Sequence, residues 1–536
     1  MATIPQNPNL NKWPIFSLLD PLFIKSIKLV SVFGGAGNEA MIVTQEDDVY
    51  SLGSNCSSCL GLGDMQSGLE PRRVDVLCQK KVTDFAYGTG PHVLAITESG
   101  DLYSWGHNGY SQLGHSGSTQ PVLPTRVSGL TGMKVVQIAC GSHHSLALNN
   151  DGEVFAWGYN NCGQIGSGNT TNQQTPRKVG ANLLSKYSKQ IACGQTSSMA
   201  LTDEGELFAW GYNGNGQLGI GSNTNQPTPC KVFSLNTLVV THIVCGYAHA
   251  LALTDTGCLF TWGANSYGQL GNGSKSNLVT PQRIGKEVGR INEIAANHYS
   301  HISAATSQNG KVYMWGQCRG QCVMLPAETR FTHIDDVFAS FATPPSMWRT
   351  LTVRPETDSG VRESIATSFN DKDCSDITFV IEGKPVYVHR SILRIMCTHF
   401  RTMFSQHWDE SEKKTIEIND FSYTVYYAFL RYLYTDTVEL SPDDAIGLLD
   451  LGNCYCEMKL KRICEDIIKK GITRENVSMI LSVALKYKAE SLEEFCFRFA
   501  MNHMTDVVAT DAFAQLDRDI IVHFITRAAS RGVFKT

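Results

Sequence analysis

The chain has 536 residues, 42% of them hydrophobic and 18% charged, with a formal net charge of −5. That length exceeds what a single hydrophobic core organises, so two or more domains are expected. The acidic balance supplies no global attraction to DNA or RNA, and no apolar run reaches the roughly 18 residues of a membrane helix, so neither nucleic acid nor membrane is an expected partner. The opening MATIPQNPNLNKWPIF lacks the basic and apolar regions of a signal peptide. A cytoplasmic or nuclear chain is therefore expected, with its 17 cysteines as reduced thiols.

From the N-terminus onward a repeat sets the organisation. Trp-Gly occurs at 105–106, 157–158, 210–211, 262–263 and 315–316, in steps of 52 or 53, and Leu52-Gly53 is a degenerate earlier copy. Before each pair a glycine ends a polar turn (Gly100, Gly152, Gly205, Gly257, Gly310), as tight hairpins require. An apolar run precedes each turn, and a Pro-containing edge such as TPRKV follows the glycine loop. A period near 50 built from short strands predicts an all-β propeller over residues 1–352. Inner-strand units begin near Val32, Phe85, Ile138, Ile191, Ile243, Ile294 and Val337, one more than the Trp-Gly turns. Seven blades are therefore expected, the last completed by KWPIF (12–16) acting as an edge strand; six blades is the alternative.

The strand ACG-x-x-x-S-LAL, the Asp-Gly turn and WG-x-N-x-x-GQLG together resemble the repeat of the regulator of chromosome condensation (RCC) family, over roughly residues 30–350. Gly106, Gly158, Gly211, Gly263 and Gly316 are expected to let the backbone turn and adjacent blades approach. Gln112, Gln164, Gln217 and Gln269 are expected to satisfy backbone groups in that loop. Cys59 and Cys322 take the Gln place in the first and last copies, and Met324 replaces the final glycine.

WGYNNCGQIGSG (157–168) looks like a phosphate loop, but no Lys-Ser/Thr and no helical period follow it, so the glycines read as structural. CSSC (56–59) has zinc-knuckle or redox spacing without a second pair, and Cys59 lies in the repeat's Gln slot. His92, His143, His144 and His249 recur with the repeat, which favours bonding to backbone groups over metal or base chemistry. The basic run within 459–470 is broken by apolar and acidic residues, as on a solvated helix face. No catalytic set and no cofactor motif stands out, so a protein that is not an enzyme is expected.

Residues 353–367 are polar and lack the repeat, and read as a linker. Residues 368–470 predict a hairpin, a helix carrying Ile392, Leu393, Ile395, Met396 and Phe400, a short strand at KTIEI, and further helices. Ser441 and Asp444 resemble a capping box, with Pro442 at the first helical position. Asp376, His389 in VHRSIL, Phe400 in HFRTMF, and YLYTD (432–436) make this region resemble an α/β BTB/POZ domain. Residues 471–536 resemble the helical extension, of BACK or 3-box type, that follows many such domains. The whole chain is similar to the family of RCC-repeat and BTB domain-containing proteins.

The resemblance implies a role. Many BTB domains dock on a cullin scaffold of ubiquitin ligases through a hydrophobic-x-Glu pattern, and Trp408-Asp409-Glu410 in MFSQHWDES fits it; the alternative is that Trp408 packs on its own domain. BTB domains also dimerise through their first helix, here about 361–369, so a homodimer is implied. The favoured reading is an adaptor: the propeller recruits an unknown protein client and the BTB domain recruits cullin. Competing readings are a guanine-nucleotide exchange regulator of a small GTPase, and a BTB-type chromatin or transcription cofactor.

Overall fold

The structure, a computed structural model, describes residues 8–353, 361–405 and 413–530; the described residues up to 353 belong to one compact unit and those from 361 onward to a second. In the first unit the repeat becomes a four-stranded antiparallel sheet. The third blade shows how: strands Val135–Cys140, His144–Asn149, Val154–Gly158 and Gln173–Lys178 pair in sequence order. The Asn-Asp-Gly turn closes its central hairpin, where the Gly152 N–H donates to the Asn149 carbonyl at 3.2 Å. The Trp-Gly pair ends the third strand. Gly158 has φ +101°, and a Cβ there would lie 2.6 Å from the His143 carbonyl oxygen and 3.1 Å from Cα of Gln112 in the preceding blade. Both the turn and the blade-to-blade approach therefore require glycine.

Six such sheets are present among the described residues, and their innermost strands contain Val32, Phe85, Ile138, Ile191, Ile243 and Ile294. The segments expected to build a seventh are helical instead. Val337 lies in the helix Asp335–Phe341, and KWPIF falls in two short 3-10 turns, Leu10–Lys12 and Pro14–Phe16. These turns and that helix still do the closing. Leu10, Trp13 and Phe16 share one buried core with Ile334, Val337 and Phe338, and with apolar residues of the first and sixth blades. The Lys12 ammonium pairs with Asp336 at 2.6 Å. Strand Leu351–Thr352 then adds to the inner edge of the first blade.

The second unit begins with helix Val361–Thr367, inside the stretch read as linker. A hairpin of Ile377–Ile381 and Lys384–Val388 turns at Glu382 and Gly383, both at positive φ, and Thr415–Ile418 adds in parallel. The expected single helix after it is two, Arg390–Met396 and Thr398–Met403. Leu393 and Phe400 are buried, whereas Ile395 and Met396 face solvent. Ser441 caps the helix Pro442–Cys454, accepting from the Asp444 N–H at 3.1 Å. Helices Met458–Lys470, Val477–Lys486, Glu490–Asn502 and Arg518–Ser530 follow, and residues from the hairpin to Phe524 form a single core.

Candidate interaction face

The Trp of the glycine loop builds the blade-to-blade joint, and the Asn and Gln of the same loop in blades two to five brace it from within. The Trp157 indole N–H donates to the Gln112 carbonyl of the preceding blade at 2.8 Å. Trp210, Trp262 and Trp315 do the same to the carbonyls of Gln164, Gln217 and Gln269, and Trp105 to that of Cys59. The Gln side chains work within the loop: their Oε1 atoms accept from the N–H of Tyr110, Cys162, Asn215 and Tyr267, at 2.9–3.0 Å. The asparagine three residues after Trp105, Trp157, Trp210 and Trp262 is a functional position that the sequence pattern alone leaves without a role; Cys318 stands there after Trp315. Asn108, Asn160, Asn213 and Asn265 accept the N–H of Leu113, Ile165, Leu218 and Leu270, while their amides donate to loop carbonyls. Their recurrence at Trp+3 is the signal that marks them.

The buried histidines join neighbouring blades through serine hydroxyls. His92, His144 and His249 reach Ser145, Ser198 and Ser303 at 2.9–3.1 Å, and each of those serines donates onward to the carbonyl of Gln112, Gln164 or Gln269. Burial pushes all three histidines down to about 3. Such weakly basic imidazoles are poor proton acceptors near neutral pH. Among the described residues no group of three or more His, Cys, Asp or Glu could hold a metal ion. Cys59 of CSSC is buried, with its thiol pushed up by desolvation.

Antiparallel order puts the first-to-second and third-to-fourth strand loops of every blade on one rim. The first set is drawn together across the axis. The Gly90 N–H donates to the Ser142 carbonyl, Ser142 to Gln195, Gln195 to Tyr247 and Tyr247 to Ser300, at 2.7–3.4 Å. The Tyr299 hydroxyl returns to the Gly88 carbonyl at 3.1 Å. Behind this ring lies an axial cavity of about 500 Å³, lined by the innermost strands of blades two to six and by Met347–Thr350. Arg349 reaches Glu293 and Asp335, each at 2.8 Å, and burial pushes the Asp84 carboxyl up.

The rim's chemistry is distinctive. Loops 107–124, 159–172 and 212–225 contain no Asp, Glu, Lys or Arg. Aromatic rings cluster there instead: Tyr110 lies 4.7 Å from Tyr159 and 4.9 Å from His143, and His301 lies 4.6 Å from Tyr267 and 4.8 Å from Tyr247. Burial lowers His107, His143 and His301, which keeps them neutral near pH 7. The opposite rim carries the acidic hairpin turns and their ion pairs, such as Lys178–Glu153 and Lys231–Glu206.

In the second unit, Asp376 Oδ1 accepts from the Arg390 N–H at 2.8 Å, and the His389 N–H donates to the Tyr434 hydroxyl at 2.7 Å. Phe400 is buried against Phe379 and Phe429. These three residues hold the domain together. Trp408, Asp409 and Glu410 lie outside the described residues.

These features define a β-propeller followed by a small α/β domain, with aromatic clusters and three uncharged loops on one rim of the propeller. The regulator of chromosome condensation (RCC1) repeat matches at 46–96, 99–148, 151–201, 204–253 and 256–303, and the BTB/POZ domain at 365–472. The chain belongs to the family that joins RCC1 repeats to a BTB/POZ domain. It is 32% identical over 317 residues to the ultraviolet-B receptor UVR8 of Arabidopsis thaliana, spanning 59% of this chain and 70% of that one. It is 35% identical over 302 residues to the human E3 ubiquitin-protein ligase HERC2, spanning 55% of this chain but 6% of HERC2. Prp20p of Saccharomyces cerevisiae has the same propeller fold, at 22% identity and a TM-score of 0.51, over 66% of this chain and 87% of Prp20p.

Proposed function

We propose that this chain is a protein-interaction adaptor, the substrate-recognition subunit of a cullin-based ubiquitin ligase, without enzymatic activity of its own. The propeller binds the client; the BTB/POZ domain binds cullin and pairs with a second copy, which doubles the client sites and adds avidity. The observation carrying the reading is the union in one chain of a BTB/POZ domain and a propeller whose rim is hydrogen-bonded from blade to blade and carries aromatic clusters. RCC1 repeats shared with HERC2, a named ubiquitin ligase, support the same direction. The proposed cullin contact is Trp408 with Asp409 and Glu410, an aromatic hot spot beside acidic groups. Action in the cytoplasm or nucleus, where cullin is met, belongs to this proposal.

The test is a pull-down with purified cullin, comparing the wild type with the double variant Trp408→Ala, Glu410→Lys. Loss of about ten-fold or more in binding supports the contact, as expected for a hot spot. Undiminished binding removes the contact, and absence of wild-type binding removes the ligase reading.

A further inference from the structure

Neighbouring blades also meet at their outer strands, through one recurring contact. The N–H of Gly63, Ser116, Gly168, Gly221 and Gly273, each at positive φ, donates to a carbonyl in the outer strand region of the following blade. The acceptors are Val122, Gln174, Pro227, Val279 and Met324, at 2.8–3.4 Å. Four of the five donors are glycine, which enters this backbone conformation at the least cost. One repeat before Val122 the same position falls on Leu69, in the outer strand Gly68–Arg73 of the first blade. The blade that precedes it around the ring is the sixth, and that blade has no glycine loop to give. Its third and fourth strands turn directly at Arg319 and Gly320. The N-terminal turns and the helix Asp335–Phe341 fill the interior of this seam but leave the outer joint open. Leu69 is 71% exposed, against 37% and 38% for Val122 and Met324. Among the described residues no N–H reaches its carbonyl.

The next residue adds a charge. In the filled joints Leu123, Thr228, Thr280 and Leu325 lie beside the donor glycine, 3.4–3.8 Å from where its Cβ would stand. In the first blade Glu70 holds that place, exposed and without an ion pair among the described residues. Arg72 and Arg73 beside it are already paired, with Asp64 and Asp48. We propose that this open joint binds a segment of the protein client that carries a glycine turn beside a Lys or Arg. The glycine N–H meets the Leu69 carbonyl, the turn covers the Leu69 side chain, and the basic side chain pairs with Glu70. The occupant is read from the propeller itself, which fills the same joint five times with a turn of this kind. An unpaired edge carbonyl invites such an addition. Glu70 selects a basic segment and rejects an acidic one. The proposal rests on the reading that the propeller holds the client, and adds the place and the chemistry.

The experiment uses the full chain, with a phage library of random linear dodecapeptides as the probe. Peptides selected on the wild type are measured against the double variant Leu69→Ser, Glu70→Lys. Phe233→Ser, an exposed apolar position elsewhere on the propeller, is the control. The enriched peptides are expected to carry glycine beside Lys or Arg. They bind about ten-fold or more weakly to the double variant and unchanged to the control. Exchanging the peptide glycine for L-alanine should weaken binding about five-fold or more, whereas D-alanine, which takes positive φ readily, should preserve it. A peptide whose basic residue is changed to Glu should bind Glu70→Lys better than it binds the wild type. Should the double variant not fold, Glu70→Lys alone carries the comparison.

Enrichment of acidic or glycine-free peptides, equal binding by the double variant, equal loss with both alanines, or no enrichment at all would overturn the proposal. So would self-association of the full chain that the double variant abolishes, which would assign the joint to a second copy. Peptide binding without cullin binding would keep the joint and remove the ligase reading; the converse would do the reverse.

Discussion

Glu39 begins the second strand of the first blade, the place that His92, His144 and His249 hold in later blades. Those histidines meet a serine hydroxyl of the next blade; the corresponding position for Glu39 is Val93, which offers none. Its Oε2 is buried without a hydrogen-bond partner, and desolvation pushes the carboxyl up to about 7. An acid raised in the folded state stabilises below its unfolded value and loses that stability as pH rises through the folded value. The Glu39→Gln variant should therefore match the wild type in thermal midpoint near pH 4.5 and exceed it increasingly up to pH 7. A difference that does not grow across that window would contradict the buried, unpaired carboxyl. The histidines titrate in the opposite sense. His249 is lowered to about 3, so the unfolded chain takes up a proton between pH 6.5 and 3 that the folded chain refuses, and stability falls over that range. The fourth blade uses Ser197 at this position. His249→Ser should accordingly cost stability at neutral pH yet flatten the acid limb, measured by chemical denaturation at several pH values.

Among the elements, the innermost strands raise the edge problem most sharply, because in every blade but the first that strand has no strand partner on its inner side. Two glutamines resolve it. Gln137 donates to the Ile191 carbonyl at 3.2 Å and accepts its N–H at 2.9 Å; Gln190 does the same to Ile243 at 2.8 and 3.0 Å. A side-chain amide thus imitates the missing strand partner. Gln190→Ala should strand a donor and an acceptor and cost about 1–3 kcal/mol, a range set by the desolvation of unmet groups; a neutral effect in urea unfolding would refute this role. The period of 52–53 made the blades, the hairpin turns and the Gln and Gly positions legible, because each is encoded locally. The glutamine and histidine bridges were not legible, since a repeat shows which positions recur and not which of them touch across a blade.

For the propeller as a whole, the seventh position shows where pattern reading stops. VFASFA alternates well enough for a strand, but Val337, Phe338 and Ala339 are all buried, as suits a short helix enclosed by its neighbours. KWPIF places Trp13 and Phe16 three apart, one turn of a 3-10 helix, with Pro14 opening it. Trp13→Ala should cost about 3–5 kcal/mol, as for a large buried aromatic. In calorimetry it should lower the propeller transition and leave that of the BTB/POZ unit unchanged. A uniform shift of both transitions would show that the segment does not serve the propeller alone.

The ion pair between Lys12 and Asp336 joins residues 324 apart in the chain. On a ribosome adding roughly 5–20 residues per second, the first of them waits on the order of 20–60 s for the second. During that interval the blades are still being made, and the apolar residues of the first blade and of the N-terminal turns lack the helix that completes their core. The stage of greatest exposure to aggregation and to chaperones therefore falls late in synthesis, after most of the propeller has already been made.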